Sequence, residues 1–208
     1  FSNREHIVIC EDFKYSVIGN TVPRGIAGSG IVDVIAELLE IGIIDEKGRI
    51  LKPEEIDHPI GIKYRDRIKK IDGILSFIVE TNTATGEPIY ISQKDVREVQ
   101  LAKGAIAAGI EVLLKTYGAK VEDIEKVFLA GAFGNYLSEK SVCRIRLIPP
   151  ELEGKIKGIG NAAGAGAKLT LLSQEEYKRA VSLSKKIRYI ELSAHPDFRG
   201  MFFNKMNF

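Results

Sequence analysis

The chain has 208 residues, of which 45% are hydrophobic and 28% charged, and its formal net charge is +2. That length suffices for one large or two small globular domains. Near-neutrality argues against nucleic acid or an anionic membrane as a partner, and the apolar runs fall short of the roughly 20 residues of a membrane span. Cys10 and Cys143 stand alone, without a CxxC spacing or a nearby histidine. This argues against zinc and iron–sulfur sites within the chain and points to a reducing cytoplasm. His6, His58 and His195 are scattered and suggest no metal cluster. The chain opens on Phe1 rather than Met, inside a stretch that reads as β structure, so a piece of a longer protein is expected.

Residues 6–10 (HIVIC) and 14–18 (KYSVI) alternate as two short strands do. Pro23, Gly25, Gly28 and Gly30 then precede an amphipathic helix from Ser29 to Ile41, with Ile31, Val34, Ile35, Leu38 and Leu39 at helical spacing and Gly42 as its stop. Residues 43–73 carry prolines, glycines and a basic cluster, Lys63–Lys70, and read as loops with one short helix. Leu75–Glu80 and Pro88–Ile91 form a hairpin around Thr83–Gly86. Ser92, followed three residues on by Asp95, opens a long helix to Tyr117, ended by Gly118. Gly104, Ala105, Ala107, Ala108 and Gly109 make its middle thin. Each helical glycine costs about 1 kcal/mol, so close packing against this face is the expected compensation. The polar stripe Gln93, Arg97, Gln100 reads as surface.

Strand–helix alternation follows: strands at Lys126–Ala130, Lys155–Ile159 and Arg188–Glu191, and helices from Ser138, over Asn161–Leu172, Gln174–Lys186 and Pro196–Met206. Such alternation implies a mostly parallel sheet covered by helices. The richest stretch is Val127–Tyr136, VFLAGAFGNY, with a near-echo at Gly160–Ala167, GNAAGAGA. A buried strand running into a glycine turn and a helix is a common way to hold a nucleotide. Gly131 and Gly134 let backbone lie against a ligand, and Asn135 both donates and accepts. The segment Arg24–Ile31, RGIAGSGI, offers backbone amides at a helix N-terminus, an anion cradle on physical grounds.

Weaker readings compete. Gly158–Gly164 fits the loose dinucleotide pattern GxGxxA, with Glu191 as a ribose contact on the next strand; that would make an NAD-binding oxidoreductase. Ser29, His195 and Asp197 lack the GxSxG elbow of a hydrolase. The pairs Glu54/Glu55, Glu122/Asp123 and Glu175/Glu176 sit where helices start and complement their dipoles. No catalytic base stands out. The small-residue helix face at 102–109 leaves room for a non-catalytic dimerisation or partner-docking module.

Taken in order, PRGIAGSGIVDVIAELLEIGIID, ISQKDVREVQLAKGAIAAGIEVLL, VFLAGAFGNYL, GNAAGAGAKLTLLS and YIELSAHPDF resemble the C-terminal region of the reductive activators of corrinoid proteins, over nearly the whole chain. The resemblance implies an α/β fold of the acetate kinase, sugar kinase, Hsp70 and actin (ASKHA) superfamily, a ribonuclease-H-like mixed sheet flanked by helices and half of a two-lobed protein. Residues 1–208 would be the C-terminal part of that nucleotide-binding domain, with 43–91 an inserted or irregular subregion. It further implies ATP with Mg²⁺ in a cleft, coupled to returning cob(II)amide to cob(I)amide for the methyltransferases of methylamine, methanol or acetyl-CoA metabolism. The partner would be a corrinoid protein or corrinoid methyltransferase, a homodimer is open, and an iron–sulfur cluster would lie outside this chain. Carried over by position, Gly131, Ala132, Phe133, Gly134 and Asn135 would lie beside the adenosine, and Gly28, Ser29 and Gly30 nearby. The departures are the absence of a DxGT-type phosphate loop and Ala27 where many members carry cysteine. They imply that the chain alone hydrolyses ATP weakly or not at all, and a sugar or acetate kinase is disfavoured by the lack of a phospho-acceptor base.

Overall fold

The computed structural model describes residues 8–9 and 13–208. Val8–Ile9 (β1) and Phe13–Lys14 (β2) pair antiparallel, Val8 opposite Lys14. Much of the strand read at 6–10 lies outside the described residues, as do His6 and Cys10. The strand read at 14–18 does not continue past Lys14; the chain curls instead into a 3₁₀ turn, Ile18–Asn20, with Gly19 at φ 77°. Helix α1 (Gly28–Glu40) follows, and Val34, Ile35, Ala36 and Leu38 are completely buried. Gly42 ends it in the left-handed region, φ 66°, as its position predicts.

Residues 43–73 hold more regular structure than their composition suggests. Ile44 bridges Ile50 around a turn whose Asp45 carboxylate accepts the Lys47 and Arg49 amides at 3.0 and 2.8 Å. A 3₁₀ turn (Pro53–Glu55), a short helix α2 (Pro59–Ile62) and a second 3₁₀ turn (Arg65–Arg67) lead into β3 (Ile68–Ile71), which the loop reading missed. With β4 (Ile74–Glu80) and β5 (Ile89–Ser92) it forms an antiparallel meander in the order β3-β4-β5. Asp72 and Gly73 connect β3 to β4 at φ 49° and 77°, the mirror-image turn that matches strand twist. Ile68, Phe77 and Ile91 lie side by side across the three strands and are all buried in the same core as α1. Period-two burial on one sheet face and a helical stripe on α1 thus close on each other, the usual two-layer solution.

Helix α3 (Gln93–Tyr117) starts with the expected box: the Ser92 hydroxyl accepts the Asp95 amide at 3.3 Å, and the Asp95 carboxylate accepts the Ser92 amide at 2.8 Å. Gly118, at φ 73°, stops it. The thin middle is covered from within the chain. A Cβ on Gly104 would meet Met206 at 3.4 Å, and one on Gly109 would meet Leu192 at 3.2 Å. That close approach is the compensation expected for the glycines, and it occupies much of the face the docking-module reading needed. Of the polar stripe Gln93, Arg97, Gln100, the arginine is surface as read, but the two glutamines are not. Gln93 accepts the Ile50 amide at 2.8 Å and donates to the Gly48 carbonyl at 2.7 Å; Gln100, fully buried, donates to the Lys47 carbonyl at 3.1 Å.

The last third begins with β6 (Val127–Ala130), short helices α4 (Gly131–Tyr136) and α5 (Glu139–Arg144), and β7 (Ile156–Gly160). β6 and β7 pair in parallel, Val127 opposite Ile156. Helices α6 (Ala162–Leu172), α7 (Gln174–Ser184) and α8 (Phe198–Asn204) complete the order. The glycine turn at 131–135 is itself a turn and a half of helix. The strand read at Arg188–Glu191 does not form: no strand lies beside it among the described residues. Its Glu191 carboxylate is spent locally, accepting from the Ser193 amide and hydroxyl and from the Tyr189 hydroxyl. The three paired carboxylates do occupy first turns, at Pro53–Glu55, Val121–Asp123 and the start of α7. No described helix is long and apolar enough to cross a membrane.

Candidate functional site

β6 and β7 end side by side. Each passes through a glycine with positive φ, Gly131 at 89° and Gly160 at 62°, directly into a helix. Ends of parallel strands with tight glycine exits form the crevice in which α/β proteins bind ligands. A Cβ on Gly131 would meet nothing within 4 Å, so this residue is glycine for its backbone conformation and for open approach, not for packing. At the β7 exit the Asn161 side chain caps α6 by accepting the Gly164 amide at 2.9 Å, which uses one of the orphan donors of that helix end.

The two glycine segments singled out in the sequence meet. A Cβ on Gly28 would lie 3.0 Å from Cε2 of Phe133, so the first residue of α1 lies against the ring of α4. Ala27, the residue before α1, makes no side-chain cap, which leaves the first-turn amides of a 13-residue helix without that partner. Gly28 is exposed, whereas Ser29 and Gly30 turn inward and are buried. Gly30 lines a separate small void of about 40 Å³ beside Tyr15 and Ile26.

On α4, Phe133 and Tyr136 are 52% and 47% exposed, unusual for large aromatic rings on a six-residue helix between strands. Asn135 lies against β7: a Cβ on Gly158 would come within 3.3 Å of its Oδ1. The sequence patterns did not reveal this pairing, although both residues sit in glycine motifs; only the parallel register of β6 on β7 brings them together. Gly134, Asn135, Tyr136 and Gly158 share the wall of a cavity of about 790 Å³, ample for a small organic ligand. Gly131 and Ala132 begin the same helix at the β6 exit.

Other candidates disperse. Asp197 is ion-paired with Lys115 at 2.5 Å, and that lysine holds its carboxyl below the usual range, while its amide donates to His195 Nδ1 at 3.3 Å. Both are thus occupied by local contacts instead of a hydrolytic triad. With no strand ending at Glu191, the ribose contact of the dinucleotide reading also loses its scaffold. Among the described residues no group of three or more His, Cys, Asp or Glu side chains could hold a metal ion. Cys143 is buried on α5, and burial together with Glu153, Glu139 and Glu151 pushes its thiol up to about 11. A thiol so far from its thiolate is a poor ligand and nucleophile.

Such an arrangement defines an α/β domain in which two parallel strands leave through glycine exits side by side and the uncapped start of α1 lies against the helix that follows the first of them. The chain belongs to the family described as the C-terminal domain of RACo, the ASKHA domain, whose profile matches residues 5–208. It is 41% identical over 198 residues to a corrinoid activation enzyme, RamQ, of Eubacterium limosum, covering 91% of this chain and 32% of that protein. It is 26% identical over 163 residues to the [Co(II) methylated amine-specific corrinoid protein] reductase of Methanosarcina barkeri, covering 78% and 25%. A solved structure of a reductive activator for a corrinoid, iron–sulfur protein superposes with a TM-score of 0.83 at 30% identity, over 97% of this chain and 32% of that one. The expected actin-like, ribonuclease-H-like α/β fold is therefore met, and the chain spans about a third or less of the length of these relatives.

Proposed function

We propose that this chain forms the adenosine-side wall of the ATP cleft in a reductive activator of corrinoid proteins, which returns the oxidised cobalt centre of its partner to the state competent for methyl transfer. The observation that carries the reading is the meeting of Gly28 with Phe133 beside the ends of two parallel strands, in a family whose named relatives act on corrinoid proteins. Bound ATP would supply differential binding energy, because a ligand can shift a conformational equilibrium only by binding one state better than the other.

Each residue has a distinct task. The exposed Phe133 ring offers a face on which a base can stack, a contact worth about 1–3 kcal/mol. Asn135, beside Gly158, offers a donor and an acceptor at the cavity wall. The open space over Gly131 admits the ligand against backbone, and the first amides of α1 favour negative charge. Cys143 is the one cysteine among the described residues and no group of three or more His, Cys, Asp or Glu side chains converges there, which does not fit an iron–sulfur cluster, so no electron step is assigned to this chain.

Calorimetric titration of the full-length protein with a non-hydrolysable ATP analogue, and with NADH in parallel, tests the reading. Phe133→Ala and Asn135→Ala should each weaken the analogue about tenfold, the equivalent of one lost stacking or polar contact, while folding stays intact. Wild-type affinity in both variants would place the site elsewhere. Saturable NADH binding without binding of the analogue would favour the dinucleotide reading. Loss of ATP-dependent cob(I)amide formation in the same variants, followed by the corrinoid absorbance, would tie the site to activation.

A further inference from the structure

A second large cavity, about 710 Å³, lies between α3, the residues that follow α5 and the C-terminal tail. Lys103 of α3 stands in its wall and is 1% exposed. Its ammonium donates to the Asn207 carbonyl and sits 5.3 Å from the centre of the Phe208 ring. Among the described residues no carboxylate pairs with it. The charges that act on it are cations: after burial, Arg146 and Lys205 are what lower its pKa, to about 8.

Lys205 is already matched, by Glu111 at 2.9 Å. Arg146 has no such ion pair among the described residues, and its backbone is strained. It takes φ 56° just past α5, donating to the Cys143 carbonyl while Leu147 donates to that of Val142, both at 2.9 Å. This is the left-handed helix stop that glycine fills at no steric cost. Arg146 is exposed, so its own charge is solvated; what costs stability is its left-handed backbone and the buried Lys103, which no described carboxylate pairs. Glu46 and Glu151 also line the cavity, but both are exposed and neither is ion-paired to Lys103 or Arg146.

We propose that this cavity is an oxyanion site, in which Lys103 and Arg146 together hold the phosphate or carboxylate group of a small molecule. Lys103 has three donors and spends one on Asn207, and the Arg146 guanidinium adds a planar fork suited to two oxygens. The anion supplies a counter-charge for Lys103 and Arg146, to neither of which a described carboxylate is ion-paired. The site is separate from the nucleotide crevice and shares no wall residue with it.

The full-length protein is titrated with inorganic phosphate and, separately, with citrate, the ionic strength being held constant with sodium chloride, and the unfolding midpoint is followed. A saturable rise with either anion is expected, and the stronger of the two identifies the head group. Arg146→Gly should raise the midpoint without anion, by removing the backbone strain and a like charge, yet weaken the anion about tenfold, as loss of a charged hydrogen-bond partner does. Lys103→Met should show the same weakening, and Phe133→Ala should show none, which separates this site from the nucleotide crevice. A rise no larger than chloride alone produces, or an anion response retained in full by Arg146→Gly, overturns the proposal.

Discussion

Gly28 and Phe133 are 105 positions apart in the sequence, and in the fold a single added methyl group on the first would press on the ring of the second at 3.0 Å. The contact joins the N-terminus of α1 to α4, and so joins the two glycine motifs into one site. Because Phe133 is half exposed, its ring can swing aside without disturbing the core. Gly28→Ala should therefore leave the unfolding midpoint unchanged or slightly raised, since alanine is the better helix former by about 1 kcal/mol. Nucleotide affinity should nevertheless fall several-fold as the ring is displaced. Paired thermal melts and analogue titrations read both quantities; a loss of stability in step with affinity would show that the contact is a packing element only.

Arg144 ties α5 to α1 through two carboxylates, Glu37 at 3.4 Å and Glu40 at 2.9 Å. The Glu37 and Arg144 side chains are mostly buried, at 10% and 18% exposure, while Glu40 is open. Truncating the arginine leaves a largely buried carboxylate behind. The expected cost is about 2 kcal/mol, between the values for exposed and fully buried pairs, and it should change little with added salt. Urea unfolding of Arg144→Ala at two ionic strengths measures it, and a cost that vanished in high salt would mark the pair as a surface contact.

How much of this was legible in the sequence follows from the range of each signal. Helix α3 declared itself through local chemistry, the Ser92–Asp95 box and Gly118, because capping involves residues three or four apart. The β3–β4 hairpin was equally local, with Asp72–Gly73 between apolar residues, yet the surrounding charges of Lys69 and Lys70 masked it. Residues 188–191 show the opposite failure: a short run with Tyr189 and Ile190 at its centre reads as a strand but finds no neighbouring strand among the described residues, and a strand needs a partner for its backbone groups. The glycine motifs were visible individually. Their convergence was not, because Gly28 on Phe133 and Asn135 on Gly158 depend on tertiary register. The buried roles of Gln93, Gln100 and Lys103 were invisible for the same reason, since a polar residue on a helix reads as surface until its partner is known.

Lys103 also makes stability depend on pH. Its amine is lowered from the ordinary 10.5 to about 8 by burial and by Arg146 and Lys205. Below pH 8 it is charged in both the folded and unfolded states, and the cost of burying that charge is fully present. Between about 8 and 10.5 the unfolded chain binds the proton more tightly than the folded one, so this group makes stability rise with pH. Lys103→Met carries no such charge. The stability difference between wild type and Lys103→Met should shift in favour of wild type from pH 7 to pH 9.5, as measured by urea midpoints. A constant difference would mean that the folded amine keeps its ordinary pKa.

Gly48 and Gln100 form the tightest glycine contact on α3. Gly48 has φ 79° and is buried, and a Cβ there would overlap the Gln100 amide. That amide is fully buried and donates to the Lys47 carbonyl at 3.1 Å, pinning the 45–50 turn to the helix. In Gly48→Ala two costs combine: about 1–2 kcal/mol for an alanine forced into the left-handed region, and about 1–3 kcal/mol if the amide moves and leaves the carbonyl unsatisfied. The sum, about 3 kcal/mol, should lower the midpoint by roughly 6–12 °C. Truncating the glutamine removes the overlap and also the bond that it would break. In a Gln100→Ala background, Gly48→Ala should then cost only the backbone strain, and the double-mutant cycle should show a coupling of about 1–2 kcal/mol. Additive costs would mean that the turn is glycine for its dihedral alone, and that α3 could accept a side chain at this contact.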